Sequence, residues 1–187
     1  RPVAVFAELL AMMMKQAHRG LRRKLAETTY LIDATSARLN ERSAGWARFS
    51  AGVCGAKVHV IYDADADRPI YAAVSAANVN DITAARQMPI EPGATYVFDL
   101  GYYDYAWWAE LDAVDCRIVT RLKSNTPLTD IETLPAPPDS PIVSDRIRYL
   151  AGRLAKNPRN PMATALREVR VRVESERVLR IVTTSRV

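Results

Sequence analysis

Two short apolar runs in this sequence end in an aspartate: Tyr30-Leu31-Ile32-Asp33 and Thr95-Tyr96-Val97-Phe98-Asp99. Carboxylates are hard oxygen ligands suited to Mg²⁺ or Mn²⁺, ions that keep further coordination positions for water or phosphate. Two such ions about 4 Å apart can activate a water or a 3′-hydroxyl and stabilise the leaving oxygen of a phosphodiester. That chemistry needs acids gathered on a rigid frame. Neighbouring strands of one sheet supply it, whatever their separation along the chain. An aspartate after an apolar run is also explained as the start of a turn or as a cap. The pair therefore argues for a site only together with the order of the elements.

Patterning gives that order. Ala56-Lys57-Val58-His59-Val60-Ile61-Tyr62 alternates and reads as a strand. Asp63 to Arg68 reads as a turn, and Pro69 opens a strand through Val74 to Ala77. Asn80-Asp81 caps a predicted helix of about eight residues that ends at Pro89. Pro92-Gly93 is a turn, Tyr103 to Val114 a helix carrying Trp107, Trp108 and Leu111, and Cys116 to Leu122 a strand. Ahead of these, residues 3–26 read as one or two helices, with Phe6, Leu9, Leu10 and Met13 on one stripe. Residues 34–51 read as irregular, anchored by Trp46 and Phe49. Three strands joined by short turns predict an antiparallel meander, and the later strand–helix–strand predicts a parallel addition. The fold class expected is α/β in the broad sense, an α+β mixed sheet with a ribonuclease-H-like core. The first and fourth predicted strands lie side by side in such a fold, which would bring Asp33 and Asp99 together.

After Asn125 the composition shifts. Pro127, Pro135, Pro137, Pro138 and Pro141 mark a loop. Beyond it Arg167 to Glu174 alternates strictly, as does much of Val178 to Val182, with Ser175-Glu176 as the turn of a hairpin. The expected organisation is a helical segment at 1–28, a partial catalytic core at 29–125, and a β-rich insertion at 126–187 with one apolar and one basic face.

Charge follows the same divisions. Residues 1–28 carry a net +4, residues 29–141 a net −6 and residues 142–187 a net +7, within a total of +5. An acidic centre suits cations, and basic flanks suit a polyanion. Solvated arginines on exposed faces account for the same numbers. No apolar run approaches the ~20 residues of a membrane-spanning helix. The stretch Val3 to Met14 is broken by Glu8 and reads as a helix, not a signal peptide. Cys54 and Cys116 form no zinc pattern or disulfide framework and read as buried apolar fillers, with a reduced cytoplasm as the default compartment. No glycine-rich phosphate loop is present, so ATP use is not expected. Asp63-Ala64-Asp65-Ala66-Asp67 begins like a calcium loop but has Arg68 where the glycine belongs and Val74 where the glutamate belongs, so it reads as a solvated turn. His59 reads as a structural hydrogen-bonding residue rather than a catalytic one.

Several segments resemble the DDE transposases of bacterial insertion sequences, in the subgroup with a β-strand insertion before the catalytic glutamate. Leu31-Ile32-Asp33-Ala34-Thr35 resembles the first-aspartate motif, and Gly55-Ala56-Lys57-Val58-His59 the second strand. Val97-Phe98-Asp99-Leu100-Gly101-Tyr102-Tyr103-Asp104 resembles the second-aspartate motif, Asp-x-Gly-Tyr. Val119-Thr120-Arg121-Leu122-Lys123-Ser124-Asn125 resembles the following strand with its basic pair. The resemblance implies catalysis by two aspartates and a glutamate, with two Mg²⁺ or Mn²⁺ ions held in part by Asp33 and Asp99. It implies strand cleavage and strand transfer at element ends, with Arg121, Lys123, Tyr102 and Lys57 as nucleic-acid contacts. A homodimer in the full-length DNA complex, cytoplasmic and nucleoid-associated, is expected. The position between Asp99 and Gly101, often Arg in the family, is Leu100 here. The Tyr/Arg/Glu/Lys helical motif that carries the glutamate is not found, and Glu168, Glu174 and Glu176 fall on the predicted hairpin. The sequence opens without an initiator methionine and reads as an excerpt of a longer gene product. The alternative readings are a non-catalytic DNA-binding fragment and a decayed remnant.

Overall fold

A computed structural model describes residues 8, 12, 28–152, 160–173 and 177–185. The helical reading of residues 3–26 lies outside them except at Glu8 and Met12, both helical. The chain divides into two compact units, Arg1–Glu91 and Pro92–Val187.

The first unit is an antiparallel meander, as the patterning predicts. Strand β1 (Thr29–Leu39) pairs with β3 (Val53–Asp63) from Tyr30↔Asp63 to Leu39↔Cys54. Strand β4 (Arg68–Ala76) pairs with the other edge of β3, and short β2 (Arg48–Ser50) continues that edge beside Val53 and Cys54. Tyr30 and Ile32 are buried on one face of β1, and Leu31 and Asp33 are exposed on the other. The turn Asp63–Arg68 is tied by the Asp63 carboxylate, whose Oδ1 accepts from the Asp65 and Ala66 N–H groups. Asp67 takes φ of 52°, a conformation aspartate tolerates better than most residues. At Gly55 β3 is closely flanked: a Cβ there would sit 3.0 Å from the Ala77 Cβ and 3.3 Å from the Ala37 carbonyl oxygen. Helix α1 (Asp81–Ala85) is capped by Asn80, whose side chain accepts from the Ile82 N–H.

Three expectations for this unit are corrected. Residues 34–51 are not irregular throughout: β1 continues to Leu39, because β3 offers it an unbroken ladder of partners. Trp46 and Phe49 are 52% and 54% exposed rather than buried anchors, and Ala47, fully buried, takes that place. Helix α1 has five residues rather than about eight.

In the second unit, β5 (Thr95–Phe98) and β6 (Arg117–Arg121) are parallel and joined by α2 (Tyr105–Asp112), the predicted strand–helix–strand addition. Asp104 caps α2 by accepting from the Trp107 N–H at 2.9 Å. Trp107, Trp108 and Leu111 are buried, and the Phe98 ring lies 5.1 Å from Trp107 and 6.3 Å from Trp108. The Trp108 indole N–H donates to the Tyr102 carbonyl at 3.0 Å, so the one polar atom of that ring is satisfied inside the core.

The sheet continues antiparallel from β6 through β10 (Val178–Thr183), β9 (Leu166–Arg172) and β8 (Ile142–Leu150) to β7 (Leu128–Leu134). The hairpin β9–β10 is the one expected, and its turn at Ser175-Glu176 lies outside the described residues. The proline-marked loop is shorter than expected. Leu128–Leu134 is a strand, which confines the loop to 126–127 and 135–141. The stretch Thr129-Asp130-Ile131-Glu132-Thr133 sits at one end of this strand order and is exposed throughout, so it has no apolar alternation to announce it.

Candidate active site

Asp33 is the fifth residue of an eleven-residue strand, not the last residue of one, which corrects its predicted place at a strand end. Its pairing partner is Val60, and β1 keeps it on the exposed face with Leu31 and Thr35. Among the described residues its carboxylate makes no hydrogen bond and no ion pair. Both oxygens are therefore open to a cation.

Asp99 follows β5 directly. It caps a 3₁₀ turn (Leu100–Tyr102), with Oδ1 accepting from the Gly101 N–H at 2.8 Å. Capping was the plainer reading of this residue. It leaves Oδ2 without a hydrogen-bond partner among the described residues, on an exposed side chain whose carboxylate the Gly101 N–H holds. Asp33 belongs to the first unit and Asp99 to the second. Among the described residues no three His, Cys, Asp or Glu side chains are gathered as a metal site. Each of the two aspartates is an exposed hard ligand on backbone fixed by pairing or capping, which fits a share in binding Mg²⁺ or Mn²⁺.

Of the four residues expected to touch nucleic acid, two are available and two are not. Arg121, the last residue of β6, and Lys123, just beyond it, are exposed and flank buried Leu122. The Lys123 ammonium lies 4.5 Å from the centroid of the Tyr103 ring. Tyr102 is 1% exposed and packs edge-on to Phe98 at 6.1 Å, so no face of its ring is open for stacking on a base. Lys57 donates to Asp81 Oδ1 at 2.8 Å and to the Val79 carbonyl at 3.0 Å. Its charge fastens β3 to the start of α1 and is not free for a phosphate. His59 is buried and bonded through Nε2 to Ser75 Oγ at 2.8 Å, the structural role expected. Burial lowers its pKa, and the nearby Lys57 charge adds to that while Asp81 opposes it. Cys54 and Cys116 are buried thiols outside any disulfide, and burial raises the Cys116 pKa away from reactivity.

The sequence reading missed the densest charge cluster of the second unit. Glu168 is fully buried, although it lies on what alternation marks as the polar face of β9. The Arg148 Nη1 and Arg180 Nε groups each donate to it at 2.5 Å, and Arg170 Nε is 3.6 Å away. Burial pushes its pKa up, but these arginines outweigh burial and hold it below the ordinary carboxylate range. Asp145, also buried, is held two-pronged by Arg167 at 2.6 to 3.2 Å. The expected split into an apolar and a basic face is corrected accordingly: Glu168 is fully buried with Arg148 and Arg180 largely covered beside it, while Val173 is 36% exposed. The excess of arginine over acid after residue 142 was the only signal available, and it pointed outward.

Comparison with known proteins gives these observations their context. Residues 24–185 match the family model described as the transposase DDE domain. A transposase-family protein of Sinorhizobium fredii, y4zB, is 43% identical over 125 residues, covering 67% of this chain and 35% of that protein. The structure of a piggyBac transposase in a synaptic complex with hairpin DNA covers 96% of this chain and 37% of that one, with a TM-score of 0.51 at 9% identity. This likeness bears on the fold alone, and it agrees with the expected α+β mixed sheet and ribonuclease-H-like core. The chain spans about a third of the length of these proteins. Among the described residues no helix is long and apolar enough to cross a membrane. On the strength of the match across 24–185, this chain belongs to the DDE transposase-domain family.

Proposed function

We propose that this chain is part of the catalytic domain of a DNA transposase, and that Asp33 and Asp99 are ligands of the divalent metal ions used for strand cleavage and strand transfer. The observation that carries this reading is that both aspartates are exposed, unpaired with any basic side chain among the described residues, and set on backbone fixed by strand pairing or capping. Mg²⁺ or Mn²⁺, when bound, supplies the Lewis acid that activates the attacking oxygen and stabilises the leaving one. The protein's part is to orient. The Gly101 N–H holds the Asp99 carboxylate in one direction, and the β1–β3 ladder holds Asp33. Arg121 and Lys123 receive the DNA backbone. In this reading residues 29–125 form the core and 126–187 an insertion ahead of the family's glutamate motif. Glu168 is no substitute for that glutamate, because its charge is already neutralised by Arg148 and Arg180. The full-length protein acts as a homodimer on element ends in the bacterial cytoplasm.

The deciding experiment is Mg²⁺-dependent cleavage of an element-end duplex by the full-length protein. Asp33→Asn and Asp99→Asn each remove the product band. Cleavage retained by either variant overturns the assignment of that residue.

A further inference from the structure

Arg180 does more than neutralise Glu168. Its Nε donates to Glu168 Oε1, while Nη1 donates to the carbonyls of Lys123 at 2.8 Å and Ser124 at 2.7 Å, and Nη2 to that of Thr126 at 3.3 Å. One guanidinium therefore gathers three consecutive-turn carbonyls just past β6. The turn closes on itself through the Thr126 N–H, which donates to the Lys123 carbonyl at 3.1 Å. It is fastened on its other side by Tyr103, whose hydroxyl bonds to Thr126 Oγ1 at 2.6 Å and whose ring carries the Lys123 ammonium. Lys123, Asn125 and Thr126 line an open hollow of about 490 Å³ with Tyr103 and Tyr105.

We propose that Glu168 and Arg180 are positioning residues, holding the Lys123–Thr126 turn in the shape that receives the sugar-phosphate backbone of DNA. This rests on the reading of Lys123 as a backbone contact. Neither residue touches the ligand. Glu168 fixes the guanidinium, the guanidinium fixes the turn, and the turn fixes the cation. Arginine is required because a planar fork with five donors serves a carboxylate and three carbonyls at once, whereas lysine offers a point charge.

The test uses the whole chain and a fluorescent mixed-sequence duplex, with affinity followed against salt concentration. Lys123→Ala weakens binding and lowers the slope of log affinity against log salt by about one, as loss of one phosphate contact does. Arg180→Lys, which keeps the charge facing Glu168 but loses the fork, gives the same loss of slope. In the Lys123→Ala background Arg180→Lys then changes affinity by less than about two-fold, because the two effects act through one cation and do not add. A purely structural Arg180 would leave the slope at its wild-type value, and that result overturns the inference. An unchanged slope for Lys123→Ala instead overturns the underlying reading of Lys123. If circular dichroism shows Arg180→Lys to be unfolded, hydrogen exchange of the wild-type Thr126 amide decides: protection is expected, and exchange at the free-peptide rate rules the proposal out.

Discussion

The molecule holds two kinds of carboxylate, and they differ in everything but chemistry. Asp33 and Asp99 are exposed and face no cation among the described residues. Glu168 is fully buried and faces three arginines. An acid that the protein has already neutralised can support a fold but cannot attract a metal ion. An acid left in water with no protein cation contributes little to stability and keeps its charge for a ligand. Assigning roles by residue type alone would treat these three acids alike. Their surroundings divide them.

The division can be attacked from both sides. The largest expected effect is on catalysis. Asp33→Asn or Asp99→Asn in the full-length protein costs about four orders of magnitude in cleavage rate, the scale on which a member of a catalytic constellation is missed. The unfolding midpoint in urea moves by no more than about 0.5 kcal/mol in free energy. Asn keeps the side-chain carbonyl that caps Gly101, so the Asp99 variant tests charge and not capping. A folded variant that has lost several kcal/mol would put these acids in the same class as Glu168.

The converse holds for Glu168→Ala, which leaves Arg180 with no carboxylate and Arg148 with Asp130 alone. A loss of about 3–5 kcal/mol is expected, the usual result of removing one partner from a buried ion pair. Calorimetric melting measures it, and a melting temperature equal to wild type would break the comparison.

Acid sharpens it further. Because Glu168 is held below the ordinary value, the unfolded chain takes up the proton first as pH falls. Its stabilisation is complete above about pH 4.3, the ordinary glutamate value, and drains away as pH drops from there through the lower value of the folded state. Urea midpoints across that range should fall more steeply for the wild type than for Glu168→Gln.

His59 gives the smallest effect and the same sign by a different route. Its lowered pKa means that the unfolded state binds a proton first below about pH 6.5. Stability is complete above that value and declines towards the folded pKa, by at most about 1.4 kcal/mol per pH unit. His59→Gln should flatten this segment of the profile, and an unflattened one would mean that another group titrates there.

Much of the frame was legible in the sequence because local signals and tertiary context agree there. Thr95 to Phe98 is an apolar run closed by an acid, α2 has a capping aspartate and a tryptophan pair, and β9–β10 alternates. The signal failed where pairing overrode composition. Ala34-Thr35-Ser36-Ala37-Arg38 is polar and small yet extends β1, because β3 is beside it. Thr129 to Thr133 forms β7 with no buried residue at all. Alternation also misjudged Glu168. Period two tells which residues share a face and is silent on which face is inside, and a charged face turns inward when arginines across the sheet complete it. Of the expected site residues, exposure separated Arg121 and Lys123 from Tyr102 and Lys57, and exposure is a property of the neighbours rather than of the residue.

The seam between β6 and β10 has a kinetic consequence. Arg121 pairs with Ile181, and β6 is covered on that edge only by a strand that arrives some sixty positions later. During synthesis β5, α2 and β6 are complete long before β10 emerges, and the hydrogen-bonding edge of β6 stays open for that interval. Closure of so long a loop is slow in comparison with forming the β9–β10 hairpin. The rate at which this half of the molecule matures is therefore set by the capture of a finished hairpin, and a ribosome that stalls before Val178 releases a chain with a bare strand edge ready to pair with another copy.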